Sequence, residues 1–261
     1  MSQEDIAACT CQPSERSDCV ESPAPPDDLK RQVTDFYDRQ SSVYDKAHHV
    51  DYAGGQYFVQ IVAADITKYV SPADRVLEIG CGTGMFTAGF RRASKEVIST
   101  DISSGMIDMA RNRIPEGNFS VADAENLPFE DNSFDCVVGV NTFSYFQNKH
   151  RAVAEITRVL KTPGKLVLYD MNLLNPLWFI YPLFDKRHRL YFRQLSQSNR
   201  LWLSHLVRDS RLHLREIREF YWLPFSTPPV MVRLLKPMDG VLNHIPLIRY
   251  FGSRIKLVAD K

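Results

Sequence analysis

The chain has 261 residues, 44% hydrophobic and 24% charged, which suits one sizeable soluble α/β domain with additions. A formal net charge of +1 argues against a dedicated nucleic-acid binder, and no apolar run is long enough for a membrane span. No basic-then-apolar leader pattern opens the chain, so a cytoplasmic location is expected.

Residues 1–28 carry seven acids against Arg16 alone and finish in SPAPPDD, the composition of a disordered acidic tail. Cys9, Cys11 and Cys19 lie in it. They read either as a metal or redox site or as exposed thiols; their spacing fits no zinc pattern and no His accompanies them. Cys81 and Cys136 fall in expected core elements, and no acid cluster of the metal-binding kind is found, so no metal is expected.

From Asp28 the pattern turns helical, with Val33, Phe36, Tyr37, Val43 and Tyr44 at helical spacings. A second helix is expected over Gln56 to Val70, with Phe58, Ile61, Val62, Ile66 and Val70 on one face. Residues 29–70 thus form a helical unit ahead of the first strand. His48 and His49 between the two helices are either a paired base or a solvated loop.

Residues 71–261 hold the main domain, opened by VLEIGCGTGMF from Val76 to Phe86. A buried strand, Val76 to Ile79, runs into a glycine turn, and a helix is expected from Met85 to Ala93. Gly80, Gly82 and Gly84, with Cys81 between the first two, allow positive φ and close approach of a ligand. Amides at the next helix start then face whatever lies over the turn. A dinucleotide fingerprint needs G-x-G-x-x-G, and Met85 stands where its last glycine belongs. Glu78, just before the loop, would repel a pyrophosphate but suit an ammonium group.

A short strand, VIST, ends at Asp101, 21 residues past Gly80 (101 − 80), where an acid is placed to bond ribose hydroxyls. Helix Ser104–Arg113 and a strand over Phe119–Asp123 follow. FDCVVGVNTFSYF reads as a turn, a buried strand Cys136–Val140 and a loop from Asn141. Ligands in open α/β sheets sit beyond the carboxyl ends of the strands. Asn141, Thr142, Ser144 and Tyr145 are therefore expected between cofactor and substrate. Helix His150–Leu160 leads through Pro163-Gly164 into a fifth strand ending near Asp170 and Asn172. Strands alternating with helices in this way give a parallel, doubly wound sheet with right-handed crossovers.

Beyond it, MNLLNPLWFIYPLF is apolar but broken by Pro176 and Pro182. Helical stretches over His188–Arg208, a strand near Leu214–Leu223, a helix from Pro229 to Leu242 and a last strand RIKLVAD complete the chain. Residues 186–261 hold fifteen Lys/Arg against five Asp/Glu. Two readings of this region stand: a surface for an amphiphilic acceptor or membrane, or a capping subdomain whose core is Trp178, Phe179, Phe184, Trp202, Tyr221 and Trp222.

The loop resembles motif I of the class I S-adenosylmethionine (SAM) methyltransferases, E/D-x-G-x-G-x-G, matched at Glu78, Gly80, Gly82 and Gly84. Asp123 to Phe129, DAENLPF, resembles the D-A-x-x-L-P-F segment of the ubiquinone/menaquinone-biosynthesis (methyltransferase type 11) group. The resemblance implies a Rossmann-like seven-stranded sheet of order 3-2-1-4-5-7-6 with strand 7 antiparallel, N-terminal lid helices and an α-helical insertion after strand 5. It implies SAM as cofactor, with the methionine moiety on the glycine loop. Asp123 would accept from the adenine amine, the Ala124 amide would reach a ring nitrogen, and Ile102 and Met106 would sandwich the ring. Tyr44 either lies over the cofactor or packs between the lid helices. Insertions at 172–211 and 225–250 would cap the acceptor, a small or lipid-like molecule. For proton removal the candidates are His48, His49, His150 and Asp170, none of which stands out. A SAM-binding protein without transfer activity and a nicotinamide-dependent oxidoreductase are the alternatives.

Overall fold

The structure is a computed structural model, described here for residues 26–48, 51–176, 200–245 and 247–261, with side chains from Lys30 onward. The three tail cysteines, His49, Trp178, Phe179 and Phe184 lie outside the described residues. The strands are β1 (Arg75–Ile79), β2 (Glu96–Asp101), β3 (Asn118–Val121), β4 (Phe134–Val140), β5 (Leu160–Met171), β6 (His213–Phe220) and β7 (Arg254–Asp260). They form one sheet in the order β3-β2-β1-β4-β5-β7-β6, and β7 alone runs antiparallel to its neighbours. The expected fold class and strand order are therefore observed.

Alternation along each strand sends its side chains to two cores. Leu77, Ile79, Val137, Leu166, Leu168 and Leu257 join one of them. There they meet Val153 and Ile156 of helix α6 (Lys149–Val159) and Leu203 and Leu206 of α7 (Arg200–Arg208). Val76, Val138, Val167, Tyr169 and Val258 join the other, with Phe58, Val62 and Ile66 of α3 (Ala53–Ile66) and Phe90 of α4 (Thr87–Ala93). Both faces are covered, so the central strands are apolar almost throughout, as parallel strands are. β1 sits centrally, paired with β2 and β4.

Helix α1 (Pro26–Gln40), a 3-10 turn (Ser41–Val43) and the short α2 (Tyr44–Ala47) precede α3. They lie against α5 (Ser104–Arg113), whose bounds are those expected. α8 (Pro229–Leu242) also begins and ends where the sequence places it. Other boundaries moved. Helix α4 starts at Thr87 rather than Met85, because the chain is still turning through Phe86 after three glycines at positive φ. Helix α3 spans Ala53–Ile66 rather than Gln56–Val70. β6 stops at Phe220 instead of continuing to Leu223, because Tyr221 takes a φ of 64° that no strand accommodates. Among the described residues no helix is long and apolar enough to cross a membrane.

Candidate functional site

The carboxyl ends of β1, β2, β4 and β5 meet at one edge of the sheet. The loop after β1 is the tightest feature there. Gly80, Gly82 and Gly84 have φ of 63°, 54° and 75°, the left-handed region that glycine enters freely. A Cβ on Gly80 would lie 1.9 Å from Thr142 Oγ1, whereas a Cβ on Gly82 would meet nothing within 4 Å. Gly80 thus lets the loop pack under the β4 loop, and Gly82 faces open space. Cys81 anchors the turn: its amide donates to the Thr100 carbonyl at 2.9 Å, while its side chain is buried with Ile107 and Ala110. Burial pushes its thiol far above the ordinary value. Only the backbone of Cys81 faces the loop chemistry.

Asp101, at the end of β2, grips the same loop. Its Oδ2 accepts from the Gly82 amide at 2.8 Å and its Oδ1 from the Ser103 amide at 3.0 Å. Burial raises its pKa, and those amides oppose the rise. Sequence spacing placed Asp101 beside a ribose; its grip on Gly82 was not foreseen.

Glu78 points the other way. It shares a strand face with Val76, so its carboxylate lies under the loop, where Oε2 accepts from Thr87 Oγ1 at 2.6 Å and Ser99 Oγ at 2.7 Å. Burial pushes its pKa up to about 7, against those two hydrogen bonds. It ties β1, β2 and the first residue of α4 together, and any effect on a ligand passes through the loop.

Across the edge, Asp123 closes a turn by accepting from the Glu125 amide through Oδ1 at 2.9 Å, with Ala124 buried beside it. Its Oδ2 accepts from Lys30 Nζ of α1 at 2.8 Å, and the same ammonium reaches Glu125 Oε2 at 2.7 Å. Met106 is buried within α5 and Ile102 is partly exposed at the end of β2.

The N-terminal helices fasten at two further points. Asp38 Oδ1 accepts from Ser103 Oγ at 2.5 Å and the Gly105 amide at 2.9 Å, beside Asp101. Asp45 accepts from Thr83 Oγ1 of the glycine loop at 2.6 Å and pairs with Arg113. Lys30, Asp38 and Asp45 were missed in the sequence. Their intervals of eight and seven residues would set them on one helical face, the only signal available.

Aromatic residues of these helices gather against Tyr145. The Tyr44 ring stacks on His48 at 4.1 Å, and Tyr37 meets Tyr44 at 6.0 Å and Tyr145 edge-on at 5.8 Å. Burial pushes the Tyr145 phenol up to about 12, Asp170 adds to this, and a hydrogen bond with Tyr37 opposes it. The expected β4 loop residues are all at this edge. Thr142 packs on Gly80, while Ser144 donates to Asp170 through its amide at 2.8 Å and its hydroxyl at 2.9 Å. Asp170 also accepts from the Met171 amide at 2.7 Å, so it organises the β4 and β5 loops. His150 is exposed on the first turn of α6.

Asn141 is the exception to this satisfaction. It holds a φ of 51°, its amide donates to Tyr169 O at 2.7 Å, and its Oδ1 is buried with no donor among the described residues. A buried acceptor left open in this way asks for a donor from elsewhere.

Residues 77–168 match the model of a methyltransferase domain family. The demethylmenaquinone methyltransferase of Thermotoga maritima is 31% identical over 144 residues, covering 54% of this chain and 62% of that protein. The ubiquinone/menaquinone biosynthesis C-methyltransferase UbiE of Teredinibacter turnerae is 36% identical over 112 residues, covering 40% of this chain and 45% of that protein. The matched stretches thus span 45% to 62% of these relatives' lengths, less than two thirds of either. A solved structure of a SAM-dependent methyltransferase from Thermotoga maritima, a possible histamine N-methyltransferase, superposes with a TM-score of 0.62 at 21% identity, covering 87% of this chain and 99% of that one. At that identity the likeness is one of fold.

Proposed function

We propose that this chain, which carries a class I SAM-dependent methyltransferase domain of the ubiquinone/menaquinone-biosynthesis type, transfers the methyl group of SAM to a small or lipid-like acceptor. The observation that carries the reading is the pairing of an open Gly82 with the unpartnered Asn141 Oδ1. The loop offers backbone and space where a ligand must come close, and Asn141 offers an acceptor suited to an ammonium donor. Asp101 offers the remaining lone pairs of a half-buried carboxylate for ribose hydroxyls, and the Asp123–Ala124 turn offers acceptor and amide to an adenine edge. These residues fit SAM better than a dinucleotide. The last glycine of a dinucleotide fingerprint is absent, Met85 standing in its place, and the Asp123–Ala124 turn adds an adenine-edge pair of acceptor and amide.

When bound, SAM supplies a methyl group that is already electrophilic, so transfer in line with the departing sulfur needs mainly orientation and a dry site. The chain's own contribution is therefore positional. Lys30, Asp38 and Asp45 hold the lid across the glycine loop, the Asp101 segment and the Asp123 turn, which excludes water along the length of the site. Tyr37, Tyr44 and Tyr145 give the acceptor side an aromatic wall. The two relatives are named for quinone methylation, and a quinone-like ring suits such a wall. Among the four base candidates, Asp170 has both oxygens engaged and His150 lies outside on α6. His48, stacked on Tyr44, remains the described group nearest the wall. A carbon nucleophile activated by its own ring needs no base.

The test is transfer of radiolabelled methyl from SAM to demethylated quinones and unrelated phenols or amines. Label on the quinone ring carbon is expected. Binding of SAM with no label on any acceptor would leave a cofactor-binding protein without transfer activity.

A further inference from the structure

Helix α8 carries an apolar stripe on the wrong side. Its inward residues Val232 and Leu235 pack on the core behind α3. Val230, Leu234, Met238 and Val241, spaced by four, four and three, form one continuous outward face, with Val230 70% and Leu234 66% exposed. The turn after the helix also exposes Leu247, Ile248 and Phe251. Single exposed apolar residues are ordinary, but four in one row of a helix, with three more on the turn that follows, mark a candidate interaction surface.

The charges beside the stripe have one sign. Between residues 221 and 253 the chain holds Arg233, Lys236, Arg249 and His244, and a single acid, Asp239. That acid is 3% exposed and accepts from the Trp222 amide at 2.6 Å, so it contributes nothing outward. Arg233 is exposed beside the apolar row, three residues from Val230, whereas Lys236 turns back over the Tyr57 ring at 5.1 Å. An outward apolar row whose own helix and turn carry only basic exposed charges has the composition of a helix lying in a membrane interface.

Position adds to composition. β6 runs parallel to β1, so α8, which follows the carboxyl end of β6, stands at the same sheet edge as the glycine loop. The segment leading into α8 is tied to the start of α3: the Gly54 and Gly55 amides donate to Thr227 O and Phe225 O, and Tyr221 Oη donates to Gly54 O at 2.6 Å. The stripe is thus held rigidly relative to the candidate site.

We propose that α8 and the turn after it form a docking surface for an anionic lipid bilayer, with the stripe sunk in the acyl boundary and Arg233 on the headgroups. The proposal does not rest on the transfer reaction, since it uses none of the residues of the cofactor site. Flotation of the full chain with phosphatidylcholine vesicles, with and without phosphatidylglycerol, tests it. The chain should float with the anionic vesicles and stay behind with the neutral ones. The double variant Leu234→Glu/Val241→Glu should partition about tenfold more weakly while melting at the wild-type temperature, because the substituted side chains already face water. Arg233→Glu should weaken the preference for anionic lipid. Failure to float, or equal flotation of wild type and the double variant, overturns the proposal. So does light scattering that shows a wild-type dimer which the double variant converts to a monomer, because the stripe is then an interface between copies. S-adenosylhomocysteine affinity, measured in parallel, reports separately on the cofactor reading and should be unchanged.

Discussion

Lys30 Nζ lies 2.8 Å from Asp123 Oδ2, although 93 residues separate them in the chain. The pair fastens the lid to the carboxylate proposed to accept from the adenine amine, so lid and ligand address one oxygen. Both side chains are a quarter to a third exposed, which limits the pair to about 1 kcal/mol of stability or less. Lys30→Met also strips buried Glu125 Oε2 of its 2.7 Å partner, so it should lower the melting temperature, yet admit cofactor faster because Asp123 Oδ2 is no longer covered. Stopped-flow association with S-adenosylhomocysteine checks this; an association rate equal to that of wild type would remove the latch.

Gly80 and Gly82 share a left-handed φ but differ in surroundings, and substitution should separate them. Gly82→Val puts a side chain into the open space and strains the backbone by about 1–2 kcal/mol. It should abolish cofactor binding in a protein that still folds. Gly80→Ala drives its Cβ into Thr142 and should lower the melting temperature more than the larger substitution at Gly82 does. Thermal melts with paired calorimetry give the ranking, and the reverse order contradicts the assigned geometry.

Asp101→Ala removes the acceptor for the Gly82 and Ser103 amides as well as the proposed ribose contact. It should weaken cofactor affinity at least about tenfold and destabilise the fold by about 2 kcal/mol, the usual scale for hydrogen bonds to a charged group. Affinity retained in a folded Asp101→Ala protein removes the ribose assignment.

The buried carboxyl of Glu78 makes a signed pH prediction. Its pKa is raised from 4.5 when unfolded to about 7 when folded, so the folded state holds the proton more tightly. Its contribution to stability is full below about 4.5 and is lost as pH rises to about 7, a change of up to a few kcal/mol. Glu78→Gln, which can still accept from Thr87 and Ser99, should flatten the stability profile across that window. An identical slope in wild type and variant would falsify the assignment.

Much of this was legible because local signals and long-range geometry coincided. The glycine loop, the acid 21 residues on and the alternation of strands with helices each depend on short stretches whose pattern implies one backbone path. The lid contacts were not legible, since Lys30, Asp38 and Asp45 are ordinary surface charges until the partners at Asp123, Ser103 and Thr83 fold beneath them. Glu78 was visible as a residue but not as a direction. Its neighbours Leu77 and Ile79 turn to one core, and the alternation places it with Val76, away from the open side of the loop. The end of β6 escaped because nothing in YWL announces a tyrosine at positive φ. The outward stripe of α8 escaped because an amphipathic pattern fixes two faces without saying which one the core takes.

The central claim is that the edge around Gly82, Asp101, Asp123 and Asn141 receives SAM. Titration calorimetry of the wild-type chain with S-adenosylhomocysteine and, separately, with NAD tests it most directly. Saturable one-site binding of S-adenosylhomocysteine with no heat from NAD is the predicted result. Binding of NAD without binding of S-adenosylhomocysteine would contradict it.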